Sequence, residues 1–312
     1  MIFRTPFLNE NNQFSSIMIE PWVVASVVAM LANVAKVMLI KTRCKTVDSW
    51  TLLFYARLLP GIVLLLALFM VDHAIHDAVS FWSATVAAAV ITIGASLLYM
   101  EAVKEGELSL VTPIQATIPL FMVACTYLFY GEAPNVMALL FIGLIVISVS
   151  FVLRSSGQIK RGSTSSHRGR AVLYSFVAAV LFGISTVLDR IAIAAASNGA
   201  LVFSAWWHLV TLLLLIPVLL IKRKTVVTSI LFNPNVNLYV IAVLIAFVTQ
   251  QYAVQFSLEL ENGVTYVKAI VMTHIVVASG IGILYLKERA SGSVLLANLI
   301  TAVSGIGLLW SI

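Results

Sequence analysis

Arg57 stands out because it carries a permanent charge nine residues into the long apolar stretch 48–70. Nine residues of helix span about 14 Å, which brings Arg57 close to the midplane of a hydrocarbon core about 30 Å thick. A guanidinium at that depth needs a water-filled cavity or a partner. Its planar donors suit carboxylates and phosphates, so Arg57 is a candidate anchor for an anionic substrate. The alternative, a structural arginine bonded to carbonyl oxygens of neighbouring helices, stays open.

Two histidines lie at a similar depth in other apolar stretches. His208 is about eight residues inside one end of 200–221, and His274 is ten residues into 264–286. Imidazole titrates near neutral pH, so both are candidates for proton coupling, and His208 is also a candidate for substrate binding. The stretches hold no Asp or Glu at mid-depth, which argues against a carboxylate relay. Packing within a helix bundle is the alternative for each histidine.

Four further charged residues lie nearer the ends of the apolar stretches: Lys36, Asp189, Arg190 and Lys268. Asp189 and Arg190 are adjacent, which favours an interfacial salt bridge or a gate. Both lysines are close enough to a membrane surface to snorkel to water, but Lys268 is also a candidate for substrate binding. A cavity that contained Arg57 and the lysines against Asp189 alone would be positive and would favour an anionic substrate.

Three amides and one tryptophan complete the candidate binding residues. Gln251 and Gln255 are four positions apart and therefore share one helix face, and Gln115 lies within the apolar stretch 108–130. Amides within membranes bind ligands or hold helices together, and both roles stay open. Trp207 lies too deep for the aromatic belt at the membrane surface. It could stack on a substrate or pack against lipid.

The stretches that carry these residues are typical of membrane spans. Hydrophobic residues make up 61% of the sequence and charged residues 10%, whereas a soluble domain carries about 25% charged residues. Apolar runs of about 20 residues match the length of helix that crosses a bilayer. The sequence therefore predicts an all-α integral membrane protein with ten transmembrane helices, at 17–40, 48–70, 80–102, 108–130, 135–153, 171–192, 200–221, 236–257, 264–286 and 292–312.

Positive charge is divided unevenly between the two sides of these spans. The loops on one side, which we call the odd-loop face, contain 14 of the 19 Lys and Arg residues; these loops are 41–47, 103–107, 154–170, 222–235 and 287–291. The opposite side, the even-loop face, has only Arg4 and Arg190. The positive-inside rule then predicts a cytoplasmic odd-loop face and extracytoplasmic termini, in a multi-pass protein of the bacterial inner membrane. Because topology accounts for the net charge of +6, no nucleic acid partner is expected.

The basic, Ser- and Gly-rich loop 154–170 separates two groups of five spans. With an odd number of spans in each half, an internal duplication must be inverted. An offset near 156 aligns Gly131-Glu132 with Lys287-Glu288, and an offset of 151 aligns 55–57 with 206–208. The predicted organisation is a polar tail at 1–16, a first five-helix repeat at 17–153, a cytoplasmic linker at 154–170 and a second repeat at 171–312.

Short motifs occur at equivalent places in the two halves. They are Tyr-Met-Glu-Ala-Val at 99–103, the Pro-containing stretch 106–119, Tyr-Gly-Glu at 130–132 and Leu-Lys-Glu-Arg at 286–289. These motifs resemble those of EamA-type proteins in the drug/metabolite transporter superfamily, and Arg57 is similar to an Arg that such proteins often carry in span two. The first span departs from the family pattern, since it has no Trp-Gly pair. The resemblance implies two inverted repeats around a central cavity, with the fifth and tenth helices at the periphery, and alternating access.

The residues and the resemblance together predict a secondary transporter for a small polar metabolite, anionic if Arg57 is an anchor, with proton coupling as an option. The alternatives are an exporter of amphipathic drugs or toxic compounds, a lipid scramblase and a receptor without transport activity. The sequence has no Walker loop, HExxH motif, nucleophile elbow or CxxC pair. We therefore expect no enzymatic activity, no cofactor and no metal. The expected partners are a small molecule and the lipid bilayer, and the expected state is a monomer.

Overall fold

Helices make up most of the described chain. The computed structural model describes residues 20–131, 134–157, 165–221, 233–257, 267, 270–288 and 292–311. In chain order the helices are α1 (Pro21–Thr42), α2 (Ser49–Leu68), α3 (Ala78–Glu105), α4 (Leu108–Gln115), α5 (Ile118–Tyr130), α6 (Val136–Gly157), α7 (Ser165–Ala194), α8 (Gly199–Ile221), α9 (Pro234–Ser257), α10 (His274–Leu284) and α11 (Gly292–Ser311).

Seven segments of the described chain are long and apolar enough to cross a membrane: Pro21–Thr42, Ser49–Leu68, Ala78–Glu105, Leu108–Tyr130, His167–Ala194, Gly199–Ile221 and Pro234–Val254. Three shorter apolar helices, Val136–Phe151, Ile270–Leu284 and Leu295–Ser304, lie within the other three predicted spans. The prediction of an all-helical, multi-pass membrane protein is confirmed. The count of ten spans remains a prediction.

The predicted fourth span consists of two helices, α4 and α5, because a turn at Ala116 and Thr117 interrupts it. Pro113 and Pro119 flank this turn, and each removes a backbone N–H that a continuous helix would use. The carbonyl of Ser109, four residues before Pro113, instead accepts a hydrogen bond from the Asn298 side chain at 3.2 Å. A donor from α11 thus replaces the missing backbone bond. The predicted span 108–130 is therefore one membrane-spanning segment built from two helices.

The turn before α5 has a counterpart before α10. The hydroxyl of Thr117 donates to the Ile114 carbonyl at 2.6 Å, and the hydroxyl of Thr273 donates to the Ile270 carbonyl at 2.7 Å. The backbone N–H of each threonine donates to the same carbonyl at 3.1 Å. Two helix interruptions of the same local geometry therefore occur 156 positions apart in the sequence.

Six helix pairs make the main contacts of the bundle: α1 with α9, α2 with α8, α3 with α7, α4 with α10, α5 with α7 and α6 with α11. In every pair one helix precedes the loop 154–170 and the other follows it. Small residues of α3 and α7, among them Ala88 and Ala192, are buried in a common cluster, and small residues let helices approach closely. A hydrogen bond of 2.8 Å joins Thr92 to Ser185 across the α3–α7 interface.

Hydrogen bonds fix the loops at the even-loop face. The backbone N–H of His76 donates to the Ala195 carbonyl at 2.9 Å, and the N–H of Ser197 donates to the Ala74 carbonyl at 2.8 Å. The loop before α3 is thereby held against the loop between α7 and α8. Asp77 caps α3 and accepts from the N–H of Ser80 at 3.1 Å. Hydrogen bonds from Ser80 lower the pKa of the Asp77 carboxyl.

Candidate functional site

A cavity of about 410 Å³ lies in the helix bundle, within the range of about 300–1,000 Å³ that is common for small-molecule sites. Nine helices contribute to its wall, that is, all of the named helices except α6 and α11. Besides three tyrosine and tryptophan rings, its polar lining consists of Asn33, Lys36, Arg57, Thr92, Ser96, Gln115, Ser185, Thr186, Asp189, Gln250 and His274.

Arg57 enters this cavity from α2. Its guanidinium carbon lies 4.3 Å from the centre of the Trp207 ring, a distance at which a cation and an aromatic face attract each other. Its Nη2 donates a long hydrogen bond of 3.4 Å to the Ser96 hydroxyl, and its buried Nε has no hydrogen-bond partner in the described part of the chain. No carboxylate of the described residues forms an ion pair with Arg57. The positive charge is therefore left without a counterion there.

Lys36 brings a second positive charge to the same cavity from α1. Its ammonium donates to the Asn33 side-chain oxygen at 2.6 Å, and the amide of Asn33 donates in turn to the Ala29 carbonyl at 2.9 Å. The acceptor that Asn33 offers is neutral. Lys36 lies near enough to Arg57 for the two charges to repel each other. This region of the cavity is positive.

A row of hydroxyl groups extends from Arg57 towards Asp189. Ser96, which bonds to Arg57, is one helical turn from Thr92 on α3, and the hydroxyl of Thr92 is 2.8 Å from that of Ser185 on α7. The Ser185 hydroxyl donates to the Asp189 carboxylate at 3.5 Å. The cavity thus has a carboxylate at the end of the row nearer the even-loop face and cations at the other.

Gln115 lines the cavity but is also part of the helix packing. Its Nε2 donates to the backbone carbonyl of Ser175 at 2.8 Å and to the Ser175 hydroxyl at 2.9 Å. That hydroxyl donates to the Val111 carbonyl at 2.9 Å. The amide N–H groups of Gln115 therefore tie α4 to α7. An amide within the membrane can bind a ligand or hold helices together, and these bonds correspond to the second role.

His208 lies behind the cavity wall rather than in it. Its side chain is 0% exposed, its Nδ1 is 2.8 Å from the Ser204 carbonyl, and its Nε2 has no described partner. The ring packs edge-on against Trp207 at 4.9 Å and against Phe247 at 4.4 Å. Both of those rings line the cavity, so His208 supports the wall from the far side.

His274 is the histidine that does line the cavity. It begins α10, directly after the turn at Thr273. Its Nδ1 is 2.7 Å from the carbonyl oxygen of Val271. Nε2 is therefore the ring nitrogen that is not used in this contact. His274 is near enough to Lys36 for an electrostatic interaction.

The structure brings together five of the predicted site residues: Arg57, Gln115, Asp189, Trp207 and His274. Three others are absent from the cavity lining: His208, Gln251 and Arg190. Arg190 is exposed and lies 5.2 Å from the Tyr130 ring. The Gln255 side chain and Lys268 lie outside the described residues.

Sequence reasoning missed Gln250, Ser96 and the aromatic rings of α9, which all line the cavity. A signal for Gln250 existed in the helical spacing of α9. Tyr239, Val243 and Phe247 recur at steps of four, and Gln250 continues the same face at a step of three. The sequence pattern favours the face of Gln251 and Gln255 as the binding face, because two glutamines share it.

At the odd-loop face, Glu288 connects the segment after α10 to the start of α4. Its carboxylate accepts hydrogen bonds from the backbone N–H groups of Leu108 at 2.7 Å and Ser109 at 2.9 Å. These N–H groups begin α4, where a negative charge stabilises a helix. Next to them the Lys41 ammonium donates to the Gly106 carbonyl. The second half of the chain is thereby bonded to the first at this face.

The apolar helices that are long enough to cross a membrane define the class of the chain, a multi-pass integral membrane protein. Residues 20–154 match the EamA-like transporter family, which belongs to the drug/metabolite transporter superfamily. This match confirms the resemblance seen in the motifs of the sequence.

Known proteins add a likeness of fold. A solved crystal structure, described only as a protein, superposes with a TM-score of 0.52 at 14% identity, and the match covers 92% of this chain and 95% of the other. At that identity the likeness concerns the fold alone. None of the curated proteins matches the sequence.

Proposed function

We propose that this protein is a secondary transporter that carries a small organic anion through the central cavity by alternating access. The observation that carries the proposal is the guanidinium of Arg57, which faces the cavity without a carboxylate partner among the described residues. A charge at mid-membrane is costly unless something neutralises it. A bound carboxylate or phosphate would do so with charge-assisted hydrogen bonds.

The proposed architecture is ten spans in two inverted five-helix repeats, 17–153 and 171–312. Its support is the pairing of helices, because exchange of the two halves turns the α1–α9 contact into the α7–α3 contact and maps the α2–α8, α4–α10 and α6–α11 contacts onto themselves. The turns at Thr117 and Thr273 are exchanged in the same way. So are Gly131 and Lys287, which both have a positive φ, 68° and 53°.

In alternating access one end of the cavity opens as the other closes. We assign the closed end to the odd-loop face, where Glu288 and Lys41 bond to the segment 106–109. Each of these contacts joins elements that must separate for a solute to leave on that side. From the loop charges we propose that this face is cytoplasmic in a bacterial inner membrane.

Two titratable side chains of the lining are candidates for proton coupling, His274 and Asp189. His208 is not among them in this proposal, since its ring is enclosed and separated from the cavity by Trp207 and Phe247. A proton on His274 would add positive charge beside Lys36. Binding of an anion and of a proton would then favour each other.

The test is anion uptake by the purified protein in proteoliposomes, with Arg57→Gln, Arg57→Lys and, as a control, Arg43→Gln at an exposed turn. Hydrogen bonds to a charged group contribute about 1.5–3 kcal/mol, so Arg57→Gln should lower the apparent affinity about tenfold or more. Arg57→Lys should recover it only in part, because an ammonium lacks the bidentate geometry. Arg43→Gln should behave as wild type.

The proposal is wrong if Arg57→Gln lowers the melting temperature and the yield but leaves uptake per folded molecule unchanged. Arg57 would then be a structural residue. Binding of anions without any flux would instead indicate a receptor. Movement of fluorescent phospholipids between leaflets without anion flux would indicate a scramblase.

A further inference from the structure

We infer that the transported anion is an aromatic monocarboxylate, a flat apolar ring that bears a single negative charge. This inference rests on the proposed function and narrows its substrate. It is carried by the wall against which Arg57 lies. The rings of Trp207 and Phe247 both line the cavity and are nearly parallel, with an angle of 10° and centroids 6.2 Å apart. We call this pair the aromatic wall.

The anion-binding group and the aromatic wall are parts of one surface. The guanidinium carbon of Arg57 lies 4.3 Å from the centre of the Trp207 ring, so the guanidinium is in contact with the wall. A carboxylate that binds through the remaining N–H groups lies in the guanidinium plane. It must therefore lie beside the wall, and a ring attached to it falls within reach of an aromatic face.

The wall is fixed in place before any ligand binds. His208 packs edge-on against both of its rings, at 85° to each. Behind His208 is Gly61, where a Cβ would approach the His208 Cβ to 3.1 Å, so the imidazole has little room to retreat. A rigid flat surface loses little conformational entropy when a flat ligand binds.

Three more aromatic rings line the cavity beside aliphatic and methionine side chains: Tyr99, Phe182 and Tyr239. Offset and edge-on contacts between rings add to the free energy of burial. An aliphatic anion of the same charge would gain none of these contacts. These contacts between rings therefore favour a ring over an aliphatic chain.

The charge of the lining selects a single negative charge. Among the described lining residues, Lys36 and Arg57 contribute two positive charges and Asp189 contributes one negative charge, which leaves one positive charge with His274 neutral. A monoanion brings this sum to zero. A dianion would exceed it, and a cation would add to the unneutralised charge.

The test is calorimetric titration of the wild-type protein with 3-phenylpropionate and three ligands that each differ from it in one chemical group. 3-Phenylpropionate has a ring and one negative charge, propionate lacks the ring, 3-phenylpropanamide lacks the charge, and phenylalanine adds an ammonium. We expect 3-phenylpropionate to bind about tenfold or more tightly than each of the others. This series uses only the wild-type protein, so no variant has to fold.

A variant then locates the ring. Phe247→Leu should reduce the preference for 3-phenylpropionate over propionate at least threefold. The same substitution at Phe129, whose side chain is 66% exposed on α5, should leave the preference unchanged. Equal loss in both variants would remove the wall from the explanation and overturn the inference.

The results distinguish failure of the inference about the substrate from failure of the proposed anion transport. Equal, Arg57-dependent binding of propionate and 3-phenylpropionate would overturn the aromatic class and keep the anion transporter. Tighter binding of phenylalanine than of 3-phenylpropionate would overturn the monoanion and indicate a substrate with two opposite charges, one of them at Asp189. Equal binding of the amide and the acid would sink both the inference and the proposed role of Arg57.

Discussion

At the scale of single residues, His208 and Arg57 show two ways in which a membrane helix holds a polar group. Arg57 points into the cavity and bonds weakly to one hydroxyl at 3.4 Å. His208 has one ring nitrogen at a carbonyl of its own helix and two aromatic rings around it. An enclosed imidazole of this kind shapes its neighbours. An open guanidinium remains available for a ligand.

His208→Phe therefore tests packing against proton coupling. The substitution removes the buried Nε2, which has no described partner, and also the contact of Nδ1 with the Ser204 carbonyl, which is worth about 0.5–1.5 kcal/mol. It also enlarges the ring, which costs about 1–3 kcal/mol. We expect a modest fall in melting temperature and an unchanged pH profile of uptake. His274→Gln, in which the cavity loses its only described imidazole, should flatten that profile. A pH profile that moves in His208→Phe and stays in His274→Gln would contradict this assignment.

At the scale of helices, close approach at a glycine fixes the position of α7. A Cβ at Gly183 would lie 2.5 Å from the Cβ of Phe121 and 3.1 Å from the backbone nitrogen of Met122. Both atoms belong to α5, whose backbone cannot yield without moving the helix. The same α7 carries Ser185 and Asp189 to the cavity. The contact thus positions the acidic end of the site.

Gly183→Ala should destabilise the protein, because overpacking of a tight contact costs about 1–3 kcal/mol. Gly143 on α6 is the matched control, since a Cβ there would meet no atom within 4 Å. Gly143→Ala should be neutral or stabilising by up to about 1 kcal/mol through helix propensity. The measurement is thermal unfolding in detergent. Equal melting temperatures for the two variants would mean that the α5–α7 contact is looser than described.

The bonds of Glu288 to α4 give a second prediction about helices. Glu288→Gln keeps the size but loses the negative charge at a helix start, which is worth about 0.5–2 kcal/mol. The amides of Leu108 and Ser109 should then exchange hydrogen about 2- to 30-fold faster, as that loss implies. The control is Glu105→Gln at the end of α3, whose carboxylate pairs with Arg170 at 3.5 Å and which should leave this exchange unchanged. Unchanged exchange in Glu288→Gln would remove this contact from the closed end of the cavity.

At the scale of the whole molecule, the prediction of how the protein is oriented in the membrane rests on the charge of its loops. The loops 154–170 and 222–235 hold eight of the 14 basic residues of the odd-loop face. A reporter that is active only in the cytoplasm should therefore work when inserted near Ser163 and stay silent when fused after Ile312. The opposite pattern would reverse the proposed orientation. It would leave the helix count and the cavity untouched.

The sequence by itself determined the membrane class, the resemblance to a family and the place of Arg57 near the middle of an apolar helix. These properties depend on composition and on position along a helix, which a linear pattern records. The choice of face was decided by the tertiary structure. Neighbours on a helix are turned by about 100° from each other, so Gln250 lines the cavity and Gln251 does not. His208 likewise follows Trp207 on α8 and faces a different direction. The helices that pack against a side chain decide whether that side chain contacts ligand or protein.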